Sequence, residues 1–334
     1  MVAFSKRVTV AVLGDTMLGR GVGERIARGV PPAKLVSDEI VEIIAAADLR
    51  LLNLECCIST RGDPWPAIGK PFFFRAPPAA TNVLRHLGVD IVTLANNHAL
   101  DYGFDALRDT FEALDRASIR WVGAGETVAR AREPAIVERA GARIAVIGVA
   151  DHPADFAAAA DRPGTAYADL GHATPGWLTL AVTAARDAAD IVVVTPHWGP
   201  NMVQEPLPHV RRAARELVAA GATLVAGHSA HVVQGVAGRV LYDLGDFLDD
   251  YAVDAELRND LGLVWLVTME PDGPVRIEAI PIRLDFCATR LATGGEAAWS
   301  VDRLADACRE LGTRVDREGD RLVVRPGQEP GGTR

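Results

Sequence analysis

Eight histidines occur in the chain, and four of them, His98, His197, His228 and His231, stand just past short apolar runs with the composition of β-strands. Two carboxylates hold the same kind of position: Asp15 follows the run at residues 8–13, and Glu55 follows the run at residues 49–52. An amide, Asn97, precedes His98 in TLANNHALDYG, residues 93–103. Taken singly, each has a bland use, because a buried histidine usually serves as a satisfied core residue and Asp15 suits a turn or helix cap equally well. Their recurrence at five strand ends is the informative fact. Functional groups of open α/β sheets gather outside the carboxyl ends of strands. Carboxylate oxygen with imidazole nitrogen is the donor set of a borderline divalent ion such as Mn, Zn or Fe(II), and one carboxylate can bridge two ions.

The elements that must carry these groups follow from periodicity. Strand-like runs at residues 8–13, 49–52 and 90–94 alternate with helical patterns at 33–47, 79–87 and 104–117, the last with Phe104, Leu107, Phe111 and Leu114 spaced three and four apart. This β-α-β-α-β-α order predicts a mostly parallel sheet, with strands at 136–137 and 143–149 in the same core. Helices at 178–189 and 208–220 lead into runs ending at His197 and His228. Strands at 240–242, 263–269 and 275–282 then suit a second, mixed sheet packed on the first. A helix at 299–311 and a hairpin at 315–325, turning at Glu318-Gly319-Asp320, finish the fold. The Gly, Pro and aromatic-rich stretch at 56–78 reads as a long structured loop, residues 151–175 as an irregular insertion, and 326–334 as a disordered tail.

Bulk properties bound the function. The 334 residues carry a formal charge of −9, which disfavours a phosphate-tracking surface and so a nucleic-acid partner. No run of eighteen apolar residues is present to span a membrane. Lys6 and Arg7 precede an apolar run that ends at Asp15 without a small-residue cleavage site, so a first strand is expected rather than a signal peptide. Cys56, Cys57, Cys287 and Cys308 form neither a disulfide framework nor a CxxC zinc site. A cytoplasmic location is the expectation. No GxxxxGK phosphate loop occurs, which weakens an ATP-driven ligase reading.

Six motifs in order, GDTMLGR (14–20), NLE (53–55), ANNHALDYG (95–103), HWG (197–199), GHSAHVVQG (227–235) and YDLGDF (242–247), resemble those of the bacterial CapA family of capsule and poly-γ-glutamate synthesis, related to the calcineurin-like metallophosphoesterases. The resemblance spans about residues 8–283. It implies a four-layer α/β/β/α sandwich with a metal site at one edge of two mixed sheets. On this basis residues 1–285 are expected to form that domain, with the helix and hairpin of 286–325 completing it. The resemblance makes Asp15, Glu55, Asn97, His197, His228 and His231 metal ligands for one or two divalent ions. His98 becomes the acid or base, with Asp101 as its orienting partner. Three departures bear on the second metal position: Met17 stands where metallophosphoesterases have histidine, Glu55 where they have aspartate, and two residues separate His228 from His231 instead of one.

A divalent ion beside a histidine can serve hydrolysis, or can polarise a carboxylate so that a base removes an α-proton. Some cytosolic relatives resemble epimerases of lasso-peptide precursors. The leading expectation is therefore Cα epimerisation of a peptide, with Cys56 or Cys57 weighed as the base on the opposite face against a simple buried cysteine. Hydrolysis of a phosphoester or amide, a role in poly-γ-glutamate or capsule synthesis, and a non-catalytic binding scaffold are the alternatives. Arg20, Arg75 and Trp198 are candidates for holding a peptide or small-molecule substrate, with salt bridging and core packing as their ordinary uses. Asp246, Asp249 and Asp250 read as a solvated acidic loop, with a functional role as the alternative.

Overall fold

The computed structural model describes residues 6–326; the tail expected at 326–334 lies outside the described residues from 327 onward. Alternation along the first strand sets up the layers. In Val8–Thr16, Val8, Val10 and Val12 face one hydrophobic layer, and Ala11 and Leu13 face another. A strand buried on both faces has to read as a continuous apolar run, and this one does.

Val8–Thr16 lies inside a ten-stranded mixed sheet. Leu49–Leu54, Ile91–Thr93 and Arg120–Val122 extend it in parallel on one side. On the other side Leu261–Glu270 pairs antiparallel with residues 8–12 of that strand. Gly273–Asp285 and the hairpin Asp316–Glu318/Arg321–Val324 continue the sheet. The second sheet has six strands, with Ile191–His197 between Ala142–Ala150 and Leu224–Ala226, all parallel, and Ala135–Arg139 antiparallel at one edge.

Two sheet assignments are therefore corrected. The strands at 135–139 and 142–150, expected with the first strands, build the second sheet. The long hairpin of Leu261–Glu270 and Gly273–Asp285, expected in the second sheet, returns to the first. The reason is the edge of Val8–Thr16 that faces away from Leu49–Leu54, whose N–H and C=O groups need partners and find them in Leu261–Glu270.

Three cores separate four layers. Inward residues of both sheets, among them Val10, Leu51, Val146, Val193 and Trp265, pack against each other. The outer face of the first sheet is covered by Arg20–Ala27, Asp38–Ala45, Thr81–His86 and Gly103–Arg116, through Val22, Ile44, Leu84 and Leu107. Gly176–Ala188 and Pro208–Ala219 cover the second sheet with Leu178, Val182 and Leu217. This is the α/β/β/α sandwich. Gly294–Glu310 sends Leu304 and Cys308 into the layer between the sheets. Among the described residues no helix is long and apolar enough to cross a membrane.

The stretch at 56–78 is held to the body by a short parallel ladder between Cys57–Ile58 and Arg75–Ala76. Trp65 packs edge-on against Phe104 and Phe156 and donates its indole N–H to Asp155 at 2.7 Å. These anchors bring Lys70, Phe72 and Phe74 over the carboxyl ends of the strands.

Candidate metal centre

Two sheets whose parallel strands end side by side place their terminal polar residues in one cluster. Val8–Thr16 changes partner as it ends: beyond Val12 it leaves Leu261–Glu270, and Asp15 and Thr16 pair in parallel with Asp246–Leu248. That register sets Asp15 beside Asp246. In the second sheet His197 and His228 form an isolated parallel bridge.

Asp15 is the hub. Its Oδ1 lies 3.6 Å from His228 Nδ1, its Oδ2 3.2 Å from His231 Nδ1, and His231 Nδ1 also meets Asp246 Oδ1 at 2.8 Å. The Nδ1 atoms of His197 and His228 face each other at 2.8 Å. Two sets of ligand atoms thus converge within 4.8 Å, Asp15 with His197 and His228, and Asp15 with His231 and Asp246. The Asp15 carboxylate is aimed by a relay of amides: Asn96 donates to Asn53 Oδ1 at 2.9 Å, and Asn53 donates to Asp15 Oδ1 at 2.6 Å.

The loop between the histidines is built under strain. Ser229 and His231 have φ of +118° and +62°, conformations that cost side-chain-bearing residues about 1–3 kcal/mol each. Buried Asp243 holds the loop by accepting from the N–H of Ala230 at 2.7 Å and of Gly245 at 2.9 Å. Strain of this kind persists only where surrounding contacts over-determine it, and it is common at functional sites.

A divalent cation fits the donor set. Both oxygens of Glu55, Oδ1 of Asn97, Nε2 of His197 and Oδ2 of Asp246 are buried and make no hydrogen bond. Buried polar groups are normally satisfied, so such orphans call for a partner of another kind. Charge points the same way. Burial drives the Glu55 carboxyl well above its ordinary range, and the charges of Asp15, Asp246 and Asp101 add to the shift. Asp246 is likewise pushed up by burial, despite His231. His231 is held well above its ordinary value, because Asp246, Glu55 and Asp15 outweigh its burial. Burial also works to raise Asp15, but the hydrogen bond and charge of His231, the charge of His228 and the Asn53 amide together hold it below the usual carboxylate range. Asp15, Glu55 and Asp246 are buried acids whose charge a cation would neutralise, and His228 and His231 are buried imidazoles that would coordinate it in their neutral form.

Of the ligand residues expected from sequence, Asp15, His197, His228 and His231 meet in the two sets. Glu55 joins neither set, but its Oε1 lies 3.9 Å from His98 Nε2. Half-buried Asn97 keeps its Oδ1 without a partner, while Lys70 donates to its carbonyl at 2.5 Å. His98 and Asp101 form a dyad, Nδ1 to Oδ2 at 2.5 Å. Asp101 also accepts from the Phe74 N–H at 2.6 Å and pairs through Oδ1 with Lys70 at 2.8 Å. The Phe74 ring stacks on the imidazole with centroids 3.9 Å apart. Burial pulls His98 down to about 4 against the raising effect of Asp101, so the ring is neutral at pH 7 with Nδ1 protonated and Nε2 free.

His98 and His231 line a cavity of about 270 Å³ together with Arg20, Phe72, Phe74 and Tyr251. Arg75 and Trp198, expected to hold substrate, are absent from its lining. Arg75 lies over the Tyr102 ring at 4.0 Å and donates to the carbonyls of Arg61 and Gly62 at 3.0 Å. Trp198 is buried in the core behind the second sheet, its indole N–H on the Tyr242 carbonyl at 2.9 Å.

Two residues were not among the ligands or catalytic groups expected from the sequence. Asp246 belongs to one of the ligand sets, and with Asp249 and Asp250 it is 1–6% exposed, so the expected solvated acidic loop is buried. The signal was there in Leu244-Gly-Asp-Phe-Leu248, an acid inside an apolar run. Tyr251 packs edge-on to His231 and stacks with Phe74, and its buried hydroxyl has no partner. Burial and the charges of Glu55, Asp246 and Asp249 hold that phenol protonated, which makes it a donor on a residue that lines the cavity.

The family described as bacterial capsule synthesis protein PGA_cap matches residues 9–251. A probable polyglutamine synthesis accessory protein of Mycobacterium tuberculosis is 30% identical, the match covering 95% of each chain. The capsule biosynthesis protein CapA of Bacillus anthracis is 28% identical over 96% of this chain and 78% of that one. The PGA biosynthesis protein CapA of Bacillus subtilis is 29% identical over 82% and 71%.

Proposed function

This chain belongs to the PGA_cap family of bacterial capsule synthesis proteins, and from that premise we propose that it is a metal-dependent hydrolase, acting on the amide bonds of an anionic polymer of the poly-γ-glutamate kind or on a phosphoester of another capsule precursor. The observation that carries the reading is the sharing of Asp15 between two imidazole-carboxylate sets, with the His98–Asp101 dyad beside the same cavity. Divalent ions held there would supply Lewis-acid polarisation of a carbonyl or phosphoryl oxygen and a lowered pKa for water.

The chain's own groups divide the remaining work. His98 Nε2 accepts a proton from the attacking water and returns it to the leaving nitrogen or oxygen. Asp101 keeps the other ring nitrogen protonated, and the Phe74 stack fixes the ring plane. The Tyr251 hydroxyl donates to the substrate oxygen on which charge develops.

Epimerisation, the leading expectation from sequence, lacks such support. A two-base reaction needs a second base on the opposite face, and the thiols considered for it are buried. Burial pushes Cys56 up to about 12 and Cys57 well above its ordinary value, and the Cys57 thiol donates to the Phe74 carbonyl at 3.4 Å. The test is to incubate Mn-loaded protein with poly-γ-glutamate and with a phosphodiester in D₂O, following new amine ends, released alcohol and Cα deuterium. Cleavage lost on chelation and in His98→Ala is expected. Cα deuterium without cleavage would restore epimerisation, and neither change would end the hydrolase reading.

A further inference from the structure

Arg20 stands where glycine would be the default. Its φ is +45°, in the left-handed region that a side chain disfavours by roughly 1–2 kcal/mol, and glycines flank it on both sides. A long cationic side chain has nevertheless been kept at the strained position, opening the helix Arg20–Ala27. The guanidinium carbon lies 5.4 Å from the Phe72 ring centre and 5.6 Å from that of Phe74, so two aromatic rings flank the group. Its Nε is held at 3.3 Å by Asp250 Oδ2, which also accepts the Gly21 N–H at 2.8 Å. Asp250 is 5% exposed and is thus a buried, fixed anchor. The two terminal amino groups of Arg20 have no hydrogen-bond partner among the described residues. They belong to a residue that lines the same cavity as His98 and His231.

We propose that Arg20 is the carboxylate anchor of the substrate cavity: its terminal amino groups grip the free carboxylate of an acidic residue, whose neighbouring bond is thereby presented to His98. The assignment rests on the hydrolase reading for the bond that is cut, but not for the binding itself. A guanidinium held at Nε and flanked by rings offers its remaining N–H fork to a planar, two-oxygen anion. Asp250, the buried acid already paired with Arg20 Nε, leaves room for one further negative charge and so favours a singly charged carboxylate over a doubly charged phosphate. The cavity, at about 270 Å³, is near the lower end of small-molecule sites, about 300–1,000 Å³, and so admits one residue of a chain and its flanking bonds.

The experiment measures binding of a γ-linked triglutamate, and of the same peptide with its α-carboxylates converted to carboxamides, to the metal-loaded full chain by calorimetry. Arg20→Met and Arg20→Lys are compared with the wild type, and melting temperature and metal content confirm that each variant is folded and loaded. The acid should bind the wild type roughly ten- to hundredfold more tightly than the amide, the scale of a charge-assisted hydrogen bond. Arg20→Met should bring that ratio close to one, with Arg20→Lys in between. An unchanged ratio in folded, loaded Arg20→Met overturns the anchor. Inorganic phosphate competing through Arg20 as strongly as the triglutamate overturns the carboxylate assignment. Because binding is read without turnover, a protein that grips triglutamate through Arg20 yet cleaves nothing would fail the hydrolase reading alone.

Discussion

Replacing Asp101 by asparagine probes the dyad with almost no change of shape. In the wild type Asp101 Oδ2 accepts from His98 Nδ1 and from the Phe74 N–H, while Oδ1 faces Lys70 Nζ at 2.8 Å. An amide has one acceptor oxygen, so either Lys70 or the His98–Phe74 pair must face its NH₂ group. Lys70 is charged and only 15% exposed, and a charge-assisted contact is roughly twice as strong as a neutral one, so the amide oxygen should turn to Lys70. The NH₂ group then donates to His98 Nδ1, which forces the ring proton onto Nε2 and removes the base. It also leaves the buried Phe74 N–H unpaired, at a cost of about 1–3 kcal/mol. Long-range ¹⁵N–¹H spectra of the His98 ring read the tautomer without any substrate. The wild type should show protonated Nδ1 and Asp101→Asn protonated Nε2. With a cleavable substrate, kcat should fall by about 10⁴, the scale of the same exchange in a serine-protease triad. Metal content should be unchanged, since Asp101 belongs to neither ligand set. A His98 that keeps its tautomer, or a fully active variant, would refute the dyad.

Three further outcomes follow from the same geometry. Asp246→Asn should lower the metal bound per chain towards one, seen by elemental analysis, because it removes the carboxylate charge from one set only. Tyr251→Phe should lower kcat by about 10²–10³ with metal content unchanged, the effect of losing one donor to a developing charge; an effect on KM alone would assign the hydroxyl to ground-state binding. Metal uptake should release at least one proton at pH 7, because His231 in the metal-free protein keeps its proton well above the ordinary 6.5 and must give it up to act as a ligand. Affinity should accordingly weaken as the pH falls through that raised value, and calorimetry in two buffers of different ionisation enthalpy measures the release.

The strand ends were legible because a buried strand and its polar terminus are local features: the runs before Asp15, His197 and His228 are strands of the fold. Sheet membership was not, because periodicity records that a strand is buried and leaves open whose edge it satisfies; the hairpin from Leu261 to Asp285 could have joined either sheet. Asp246 was hidden for a similar reason. Its burial comes from pairing with Asp15, 231 positions away (246 − 15), and a Gly- and Asp-rich stretch looks solvated until that contact is known. Trp198 shows a local rule set aside. Next to His197 at a strand end, it should face the opposite side of the sheet, and it does, packing in the core behind the second sheet. Arg75 was close to motif residues in sequence only; carbonyls of its own loop take its guanidinium.

Asp15, shared by both ligand sets, is proposed to join two metal positions into one centre. Electron paramagnetic resonance of the Mn-loaded chain, with manganese per chain counted on the same sample, tests it directly. Two ions per chain with the signal of an exchange-coupled pair are expected, the coupling being lost in Asp15→Asn. Two uncoupled ions, or loading that is indifferent to Asp15, would contradict it.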